Sequence, residues 1–550
     1  MEFSSCNRLE ILRQAASQTN DIIVIGGGIT GAGIALDAAA RGLKVLLVEK
    51  NDFASGTSSR STKLIHGGLR YLKQLDFKLV REVGKERAIA HRNAPHLVIP
   101  AKMLLPLIKG GSLKKNSARV ALWVYEKLAG VKKEEGFRIL TKQETLANEP
   151  LLNEELLSGS ALYTEYRTDD ARLTIEILKT AVALGARAVN YTEATGFIKD
   201  NGKITGINIL EKLSEECFAM KAKVVINAAG PWVDELRGFD EIPTGKRLHL
   251  TKGVHIVVPF SRLALSQAVY MDAPDGRMIF AIPRDGVTYI GTTDTDYNGN
   301  KDLPLVNKEE AEYLVEAVNR IFPKSLLKIS DIISSWAGLR PLIHEDGKAP
   351  SELSRKDELF FSKNGLISIA GGKLTGYRKM AERAVDKAAE ILEKDFSMTI
   401  PLSNSASITL SGGNFSSISE IGEYVENQTG ESKQIEATFA EIRSLVWKYG
   451  RNTEHIIGRG FDLWPELEDR NNILEKAEIR YCQEHEMAVF PSDFWIRRSS
   501  QLYFTPINLA AQFEKLAPFF YLYGDLTGEA ARESEYSFLR EVNNTMSFRG

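Results

Sequence analysis

A glycine-rich turn between an apolar strand and a helix is the feature that most constrains this chain. Residues 21–25 read Asp-Ile-Ile-Val-Ile, and a G-x-G-x-x-G turn follows with Gly26, Gly28 and Gly31. In such a turn the first glycine permits the tight bend, the second lets the backbone approach a pyrophosphate, and the third lets the helix pack closely on the strand. Free N–H groups and the positive end of the helix then face the phosphates. The sequence therefore predicts a parallel α/β sheet that binds a dinucleotide.

A second strand narrows the kind of dinucleotide. Residues 44–48 are mostly apolar and lead to Glu49, about twenty residues beyond the glycine turn. A carboxylate at this position binds a ribose 2′-hydroxyl, whereas a 2′-phosphate would need a cation. FAD or NAD is therefore expected, and NADP is disfavoured.

Composition is that of a globular protein with several domains. The chain has 550 residues, of which 43% are hydrophobic and 26% charged, which excludes disordered and fibrous classes. The formal net charge is −2, so no overall field attracts nucleic acid and no nucleic-acid partner is expected. Cys6, Cys217 and Cys482 are scattered without metal-ligand spacing. We expect a reducing compartment, no disulfide framework and no metal.

The N-terminal residues and one basic segment bear on location. The first twenty residues carry charges and lack a continuous apolar core, so a cytoplasmic protein is expected, with any membrane contact peripheral. The segment 102–133 mixes cations with Leu, Ile and Trp, the composition of a surface that lies on anionic lipid. A solvated basic face over ordinary core residues is the alternative. The residues concerned are Lys102, Lys109, Lys114, Lys115, Arg119, Trp123, Lys127, Lys132 and Lys133.

Changes of pattern along the chain predict three domains. Buried strands at 223–227 and 366–370 end in small residues, which suits a return of the chain to the first sheet. Short strands with turns, and one helix at 308–321, indicate a separate antiparallel sheet. The predicted domains are a discontinuous cofactor domain (19–100, 160–245 and 345–395), a substrate domain (246–344 with parts of 101–159) and a helical C-terminal domain (405–550).

Two long signatures resemble those of one flavoenzyme family. Residues 25–42, beginning Ile-Gly-Gly-Gly-Ile-Thr-Gly-Ala-Gly, resemble the first signature of the FAD-dependent glycerol-3-phosphate dehydrogenases, which are aerobic, respiratory enzymes. Residues 371–381, Gly-Gly-Lys-Leu-Thr-Gly-Tyr-Arg-Lys-Met-Ala, resemble the second. The polar loop 55–71 and the run 336–341 occur in the family's order. The resemblance therefore spans about residues 20–395, and the helical tail is similar in length and character to the family's C-terminal domain.

The resemblance implies a fold and an activity. The fold is α/β, with a glutathione-reductase-like FAD-binding domain and a D-amino-acid-oxidase-like antiparallel β substrate domain, and FAD is expected to be non-covalent. The activity is oxidation of sn-glycerol 3-phosphate to dihydroxyacetone phosphate, with electrons passed to a membrane quinone. An oxidase that uses oxygen, a flavin-dependent amine or amino-acid oxidase, and a flavin binder without turnover are the alternatives. A homodimer is left open.

Residues at four strand ends and in the polar loop are expected to bind the cofactor. Hydroxyls and backbone amides of the loop would complete the pyrophosphate cradle, and small residues let the cofactor approach the backbone. The expected cofactor-binding residues are Gly26, Gly28, Ile29, Thr30, Gly31, Glu49, Lys50, Thr57, Ser58, Ser59, Thr62, Lys63, Leu64, Ala229, Gly230, Gly371, Gly372, Lys373, Leu374 and Thr375.

Cations are required to hold the substrate phosphate. Arg70 and Arg340 are the leading ligands, because a guanidinium binds phosphate or a developing alkoxide through paired hydrogen bonds. Lys373 follows a Gly-Gly turn at a helix start and is expected to stabilise negative charge on the substrate or on reduced flavin. Tyr71 is expected either to bind substrate or to lie in the core.

Oxidation of a secondary alcohol also requires a base for the hydroxyl proton. His66 lies between the cofactor loop and Arg70, and His255 begins a strand of the predicted substrate domain. We place His66 slightly ahead of His255. Water or Arg340 is the further alternative.

Overall fold

Two β-sheets and a C-terminal set of helices organise the chain. The computed structural model describes residues 3–66, 77–111, 115–131, 135–242, 245–344, 357–467, 469–522, 524 and 526–548. Within these ranges the first sheet has eight strands and the second has ten.

The strands and helices are numbered in chain order. The strands are β1 Thr19–Ile25, β2 Val45–Val48, β3 Leu64–Ile65, β4 Ile99–Ile108, β5 Arg138–Leu140, β6 Leu157–Arg167, β7 Arg187–Val189, β8 Thr192–Asp200, β9 Lys203–Glu211, β10 Cys217–Asn227, β11 Arg247–Pro259, β12 Ala268–Asp272, β13 Met278–Arg284, β14 Val287–Gly291, β15 Thr295–Asp296, β16 Ser334–His344, β17 Glu358–Phe361 and β18 Ile367–Ala370. The α-helices are α1 Arg8–Ala16, α2 Ile29–Ala40, α3 Phe77–Asn93, α4 Lys115–Ala129, α5 Lys142–Asn148, α6 Asp170–Ala183, α7 Val233–Asp240, α8 Lys308–Ile321, α9 Tyr377–Phe396, α10 Ile418–Glu431, α11 Phe439–Tyr449, α12 Thr453–Glu466, α13 Ile473–His485, α14 Gln501–Phe504, α15 Leu509–Leu522 and α16 Gly528–Met546.

The first sheet is built around parallel strands from distant parts of the chain. Its order is β17-β18-β10-β1-β2-β7, with β9 beside β10 and β8 beside β9. β1 runs parallel to β10 and β2, and β10 runs parallel to β18. Helices α2, α6 and α9 pack beside one another and bury the continuous apolar runs of β1 and β2. The predicted return of residues 223–227 and 366–370 to this sheet is confirmed.

The second sheet is largely antiparallel. Its order is β15-β11-β14-β13-β12-β4-β6-β3, with β16 beside β11 and β5 beside β6; the β12–β4 pair is parallel. Helix α8 covers one face, where Leu314 and Val318 pack with Val254 and Ile256 of β11. The predicted antiparallel sheet and the predicted helix at 308–321 are confirmed.

Strand pairing differs from the predicted domain boundaries in one respect. β3 pairs with β6, and β6 pairs with β4, so residues 64–65, 99–100 and 160–167 belong to the second sheet although the sequence assigned them to the cofactor domain. Short apolar runs have the same pattern in either sheet, and only long-range pairing assigns them. The domain boundaries as such stay a prediction.

The basic segment divides into a strand and a helix. Residues 103–108 lie in β4 with buried side chains, and Lys102 donates to Thr164 Oγ1 at 3.1 Å. The prediction of a lipid-facing surface is therefore wrong for residues 103–108, which form sheet core, whereas Lys102 is exposed. Helix α4 keeps exposed apolar side chains. Lys114, Lys132 and Lys133 lie outside the described residues, as does the side chain of Lys115.

Beyond residue 405 the described elements are helical, as predicted. α10–α16 and a π-helix at Asp493–Arg498 share a core with the second sheet. Arg498 of the π-helix pairs at 2.5 Å with Asp52, in the turn after β2, and Met487 packs in the core of the first sheet. This region therefore contacts both sheets. In the part of the chain that the structure describes, no helix combines the length and apolar character needed to cross a bilayer.

Candidate active site

A cavity of about 980 Å³ lies where both sheets meet the polar loop. The carboxyl ends of the parallel strands β1, β2, β10 and β18 form one wall, which is where open α/β sheets bind ligands. The predicted site residues that line it are Gly26, Gly28, Ile29, Thr30, Glu49, Lys50, Thr57, Ser58, Thr62, Leu64, His66, Ala229, Gly230, His255, Arg340, Gly371, Gly372, Lys373, Leu374 and Thr375.

The glycine turn after β1 forms a backbone cradle. Gly26 has φ of 113°, and a Cβ there would lie 2.6 Å from the carbonyl oxygen of Ala228. A Cβ on Gly31 would lie 1.9 Å from the carbonyl oxygen of Gly26, so Gly31 serves close packing and does not itself line the cavity. The first turn of α2 carries no acidic residue, which leaves its positive end available to an anion. The cradle fits a dinucleotide pyrophosphate.

Glu49 completes this wall at the end of β2. Its carboxylate accepts hydrogen bonds from the Gly27 amide at 2.7 Å and the Asn51 amide at 2.9 Å. Burial raises the pKa of the carboxyl above its ordinary value, opposed by these two hydrogen bonds. A carboxylate has about four acceptor positions, so capacity is left for ribose hydroxyls. The donor set on this wall therefore fits FAD.

The polar loop lies between the two walls. Ser58 Oγ accepts from the Ile29 amide at 2.9 Å, and Thr57 Oγ1 donates to the Leu339 carbonyl at 2.7 Å. Two loop residues that we predicted to bind cofactor, Ser59 and Lys63, have buried side chains that do not line the cavity. Tertiary packing turns the Lys63 ammonium toward a buried carboxylate and away from the cofactor, while the assignment of Ser59 stays a prediction.

Arg340 projects from β16 on the opposite wall. Its guanidinium donates to Thr292 Oγ1 at 2.9 Å, to the Thr293 carbonyl at 3.0 Å and to Asp294 Oδ1 at 3.0 Å. A Cβ on Gly253 would lie 2.3 Å from Arg340 Nη2, so only glycine leaves room for this arginine. We missed residues 292–294 in the sequence, although a polar run directly after the buried strand β14 was an available signal.

His255 lies on β11, beside Arg340 of β16. Its ring stacks on Trp336 with centroids 4.9 Å apart, and Nε2 lies 3.0 Å from Thr62 Oγ1. Burial holds the pKa of His255 well below its ordinary value, and the positive charges of Arg340 and Lys63 lower it further. The imidazole is therefore neutral near pH 7 and is able to accept a proton.

His66 and Lys373 approach the cavity from the ends of β3 and β18. The backbone of His66 exchanges hydrogen bonds with Thr375 Oγ1, each at 3.1 Å, which ties the polar loop to the second signature. Lys373 is half-buried and immediately precedes a single 3₁₀ turn that leads into α9. The two other predicted substrate ligands, Arg70 and Tyr71, lie outside the described residues.

One side of the cavity is apolar and aromatic. This apolar branch is lined by Leu64, Ala121, Tyr163, Tyr270, Met278 and Phe280. Tyr270 and Phe280 stack with centroids 4.2 Å apart. Ala121 belongs to α4, so the branch reaches the inner face of that helix. No motif predicted it, because its residues come from five separate elements.

Comparison with known proteins supplies a family. Residues 21–378 match the sequence pattern of the family described as FAD dependent oxidoreductase. The chain is 48% identical over 507 residues to the aerobic glycerol-3-phosphate dehydrogenase of Staphylococcus aureus strain MRSA252, covering 92% of this chain and 91% of that protein.

Two solved structures are similar. The glycerol-3-phosphate dehydrogenase from Bacillus halodurans complexed with FAD has a TM-score of 0.85 and 41% identity, with 100% of both chains covered. The dithionite-reduced L-alpha-glycerophosphate oxidase from Mycoplasma pneumoniae with FAD bound has a TM-score of 0.56 and 22% identity, covering 70% of this chain and 97% of that one. The second likeness shows the fold alone.

Proposed function

Because the chain belongs to the family of FAD-dependent oxidoreductases, among the aerobic glycerol-3-phosphate dehydrogenases, we propose that it oxidises sn-glycerol 3-phosphate to dihydroxyacetone phosphate. The observation that carries this proposal is one cavity with a glycine cradle and Lys373 on one wall and Arg340 and His255 on the other. FAD held by this cradle would supply the two-electron acceptor for the hydride that leaves C2.

Arg340 and Lys373 hold the substrate phosphate. A guanidinium fixed on a strand offers paired donors in a planar fork, and a nearby ammonium adds a second charge. Because Thr292 and Asp294 fix the Arg340 side chain, it needs little reorganisation when the phosphate arrives. Glycerol lacks the phosphate and would leave this wall without its anion.

His255 accepts the hydroxyl proton. In the tautomer with its proton on Nδ1, Nε2 accepts from Thr62 Oγ1 at 3.0 Å, and Thr62 lines the cavity, so its hydroxyl would pass the substrate proton to the ring. Its depressed pKa keeps the imidazole neutral, which is the protonation state that a general base requires. His66 also lines the cavity, and the geometry favours His255 because both a stacked ring and a hydroxyl fix its orientation.

An anaerobic titration of the FAD-loaded protein with glycerol 3-phosphate tests the substrate half-reaction. Loss of the visible flavin absorbance is expected with glycerol 3-phosphate and not with glycerol at the same concentration. Glycerol serves as the matched control because it differs only in the phosphate. A fully loaded sample that keeps its absorbance would refute the proposal.

The electron acceptor is a quinone. The apolar branch supports this choice, because aromatic and aliphatic walls suit a ring that carries carbonyl groups. The Tyr163 hydroxyl lines the branch and has no hydrogen-bond partner among the described residues, so it is available to a quinone oxygen. Addition of a soluble quinone to the reduced protein should restore the absorbance rapidly. Rapid reoxidation by oxygen alone, with peroxide release, would favour the oxidase.

The protein docks peripherally on anionic membranes through α4. This helix exposes 61% of Val120 and 56% of Trp123, and Arg119 and Lys127 flank them. Aromatic and cationic side chains on one helix suit the lipid headgroup region. The inner face of α4 contributes Ala121 to the apolar branch, so a docked helix would bring that branch to the lipid that carries the quinone.

Flotation with vesicles of anionic phospholipid tests the docking helix. Trp123→Ser combined with Arg119→Ser should lower the bound fraction severalfold. Phe439→Ser is the matched control, because Phe439 is similarly exposed, at 51%, on the C-terminal helices. Unchanged flotation of the α4 variant, or an equal loss in the control, would contradict docking through α4.

A further inference from the structure

Lys63 is a buried lysine directly beneath the polar loop. Its side chain is 1% exposed, and Nζ donates to Asp170 Oδ1 at 2.5 Å and to the Ser59 carbonyl at 3.1 Å. The other carboxylate oxygen of Asp170 accepts from the Ser61 amide at 3.0 Å. One ion pair therefore holds the loop at three alternate residues, 59, 61 and 63.

The backbone around Lys63 is held in an unusual conformation. Lys63 has φ of 55°, in the left-handed region that non-glycine residues rarely adopt. Its carbonyl accepts from the Thr168 amide at 2.8 Å, and its amide donates to Ser61 Oγ at 2.9 Å. The turn is thus maintained by its surroundings and not by local preference.

The opposite face of the loop lines the cavity. Ser58 Oγ receives the Ile29 amide at the start of α2, and Thr62 Oγ1 lies 3.0 Å from His255 Nε2. The same few residues therefore contact the ion pair below and the cofactor cradle and His255 above. A shift of the loop would alter both contacts together.

The C-terminal helices close the ion pair off from water. Asp169, beside Asp170, accepts from Ser500 Oγ at 2.7 Å and from Arg284 Nη2 at 3.0 Å. The rings of Tyr503 and Phe504 lie 5.7 and 5.9 Å from Lys63 Nζ. In this dry surrounding the attraction between ammonium and carboxylate is strong and its geometry well defined.

We propose that Lys63 is a positioning residue, whose ion pair with Asp170 sets the 57–62 loop so that Ser58 meets the α2 amide and Thr62 meets His255. Loss of the ion pair should weaken FAD binding, which follows from the fold alone. It should also lower kcat, and this second expectation rests on the proposed function.

A charge-neutral double variant separates positioning from stabilisation. Lys63→Met alone leaves a buried carboxylate unpaired and should destabilise the protein strongly. Lys63→Met with Asp170→Asn removes both charges, and an amide oxygen still accepts from Ser61. Replacing a buried pair by neutral groups of similar volume is often close to neutral for stability. The melting temperature of the holoprotein should therefore largely recover.

Two readouts of the double variant decide the proposal. The FAD dissociation constant, measured by fluorescence without substrate, should be about tenfold higher than in the parent protein. The kcat for glycerol 3-phosphate should fall by about tenfold to a hundredfold, with KM changed less than about twofold. Recovery of FAD affinity and kcat together with melting temperature would overturn the proposal. A parent protein that does not oxidise glycerol 3-phosphate would refute the proposed function, and FAD affinity would then decide alone.

A distant ion pair provides the matched control. Arg41 and Asp37 form a pair of equal burial, 2.6 Å apart, at the far end of α2. Arg41→Met with Asp37→Asn should leave FAD affinity and kcat unchanged. If the Lys63 double variant does not fold, Lys63→Arg, which keeps both charges but changes the geometry of the pair, should weaken FAD binding about threefold. Unchanged FAD affinity and kcat in that folded variant would overturn the proposal.

Discussion

The two walls of the cavity differ in whether backbone groups or side chains form them. The cradle wall consists of backbone amides and glycines from the ends of parallel strands, with Gly26 and Gly31 allowing contacts that no side chain would permit. The substrate wall consists of the side chains of Arg340 and His255 on two antiparallel strands, with the buried Trp336 stacked against His255. A backbone wall depends on local chain geometry, whereas a side-chain wall depends on which strands pair.

Because of this difference, we expect substitutions on the two walls to abolish different properties of the protein. Damage to the cradle removes the cofactor and with it every activity. A substitution on the substrate wall should leave a protein that still binds FAD but oxidises glycerol 3-phosphate poorly. Substitutions on each wall test whether cofactor binding and substrate oxidation are lost separately.

The largest effect is expected from Gly31→Ala. Its Cβ would lie 1.9 Å from a backbone oxygen of the turn, so the start of α2 must move away from the cradle. We expect the purified variant to contain almost no FAD, as measured by its visible absorbance. Gly422→Ala in α10 is the control, since a Cβ there meets nothing within 4 Å. A Gly31→Ala protein with full FAD content would contradict the dependence of FAD binding on the close packing at Gly31.

Arg340→Met should keep FAD and lose the substrate. Loss of a charged partner of the phosphate is expected to lower kcat/KM for glycerol 3-phosphate by about 10³-fold. The parent protein should prefer glycerol 3-phosphate over glycerol by about 10⁴-fold or more, and the variant should lose most of that preference. Arg262→Met, which breaks an exposed pair with Asp331, should change neither quantity. A retained preference would remove Arg340 from the phosphate site.

His255→Asn should lower kcat by about 10²-fold with FAD still bound, because the general base is lost. His249→Asn on the same strand is the control. In the parent protein, burial and the charges of Arg340 and Lys63 keep the pKa of His255 below its ordinary value of 6.5. Because only the neutral ring accepts a proton, kcat/KM should stay level as pH falls through 6.5 and decline in stronger acid. An inflection above pH 6.5 would point to another base.

The smallest effect is expected from Lys373→Met. Lys373 is half-buried, so solvent weakens its field, and we expect KM for glycerol 3-phosphate to rise by about tenfold or less. The flavin midpoint potential should fall, because a positive charge that favours reduced flavin is gone. Lys379→Met, on the same segment and paired with Glu382, is the control. Unchanged KM and potential would remove Lys373 from the site.

The cradle could be predicted because its determinants are contiguous. The turn at 26–31, Glu49 and the strand ends at 227–230 and 370–373 each combine an apolar run with glycine or a carboxylate at fixed spacing. The substrate wall was predicted only in part. Arg340 and His255 were named, but Thr292 and Asp294, which follow β14, reach Arg340 only because β11 pairs with both β14 and β16.

Lys63 illustrates what a linear pattern does not contain. Its place in a loop rich in hydroxyls indicated a cofactor ligand, yet its ammonium lies below the loop with Asp170, more than a hundred residues away. Residues 103–108 illustrate the same limit. An apolar run flanked by lysines is typical of a lipid-facing segment and equally of a buried strand. Burial decides between such alternatives, and burial is a property of the assembled fold.

The sequence by itself determined the cofactor class, the parallel sheet, the antiparallel sheet with its helix at 308–321 and the helical C-terminal region. These follow from glycine geometry and from the period of apolar residues, which act over a few residues at a time. Only the tertiary structure decided which strands join the second sheet, what holds Arg340 and which way Lys63 points. Those outcomes depend on contacts between segments far apart in the chain, where competing partners differ in packing and desolvation and not in local pattern.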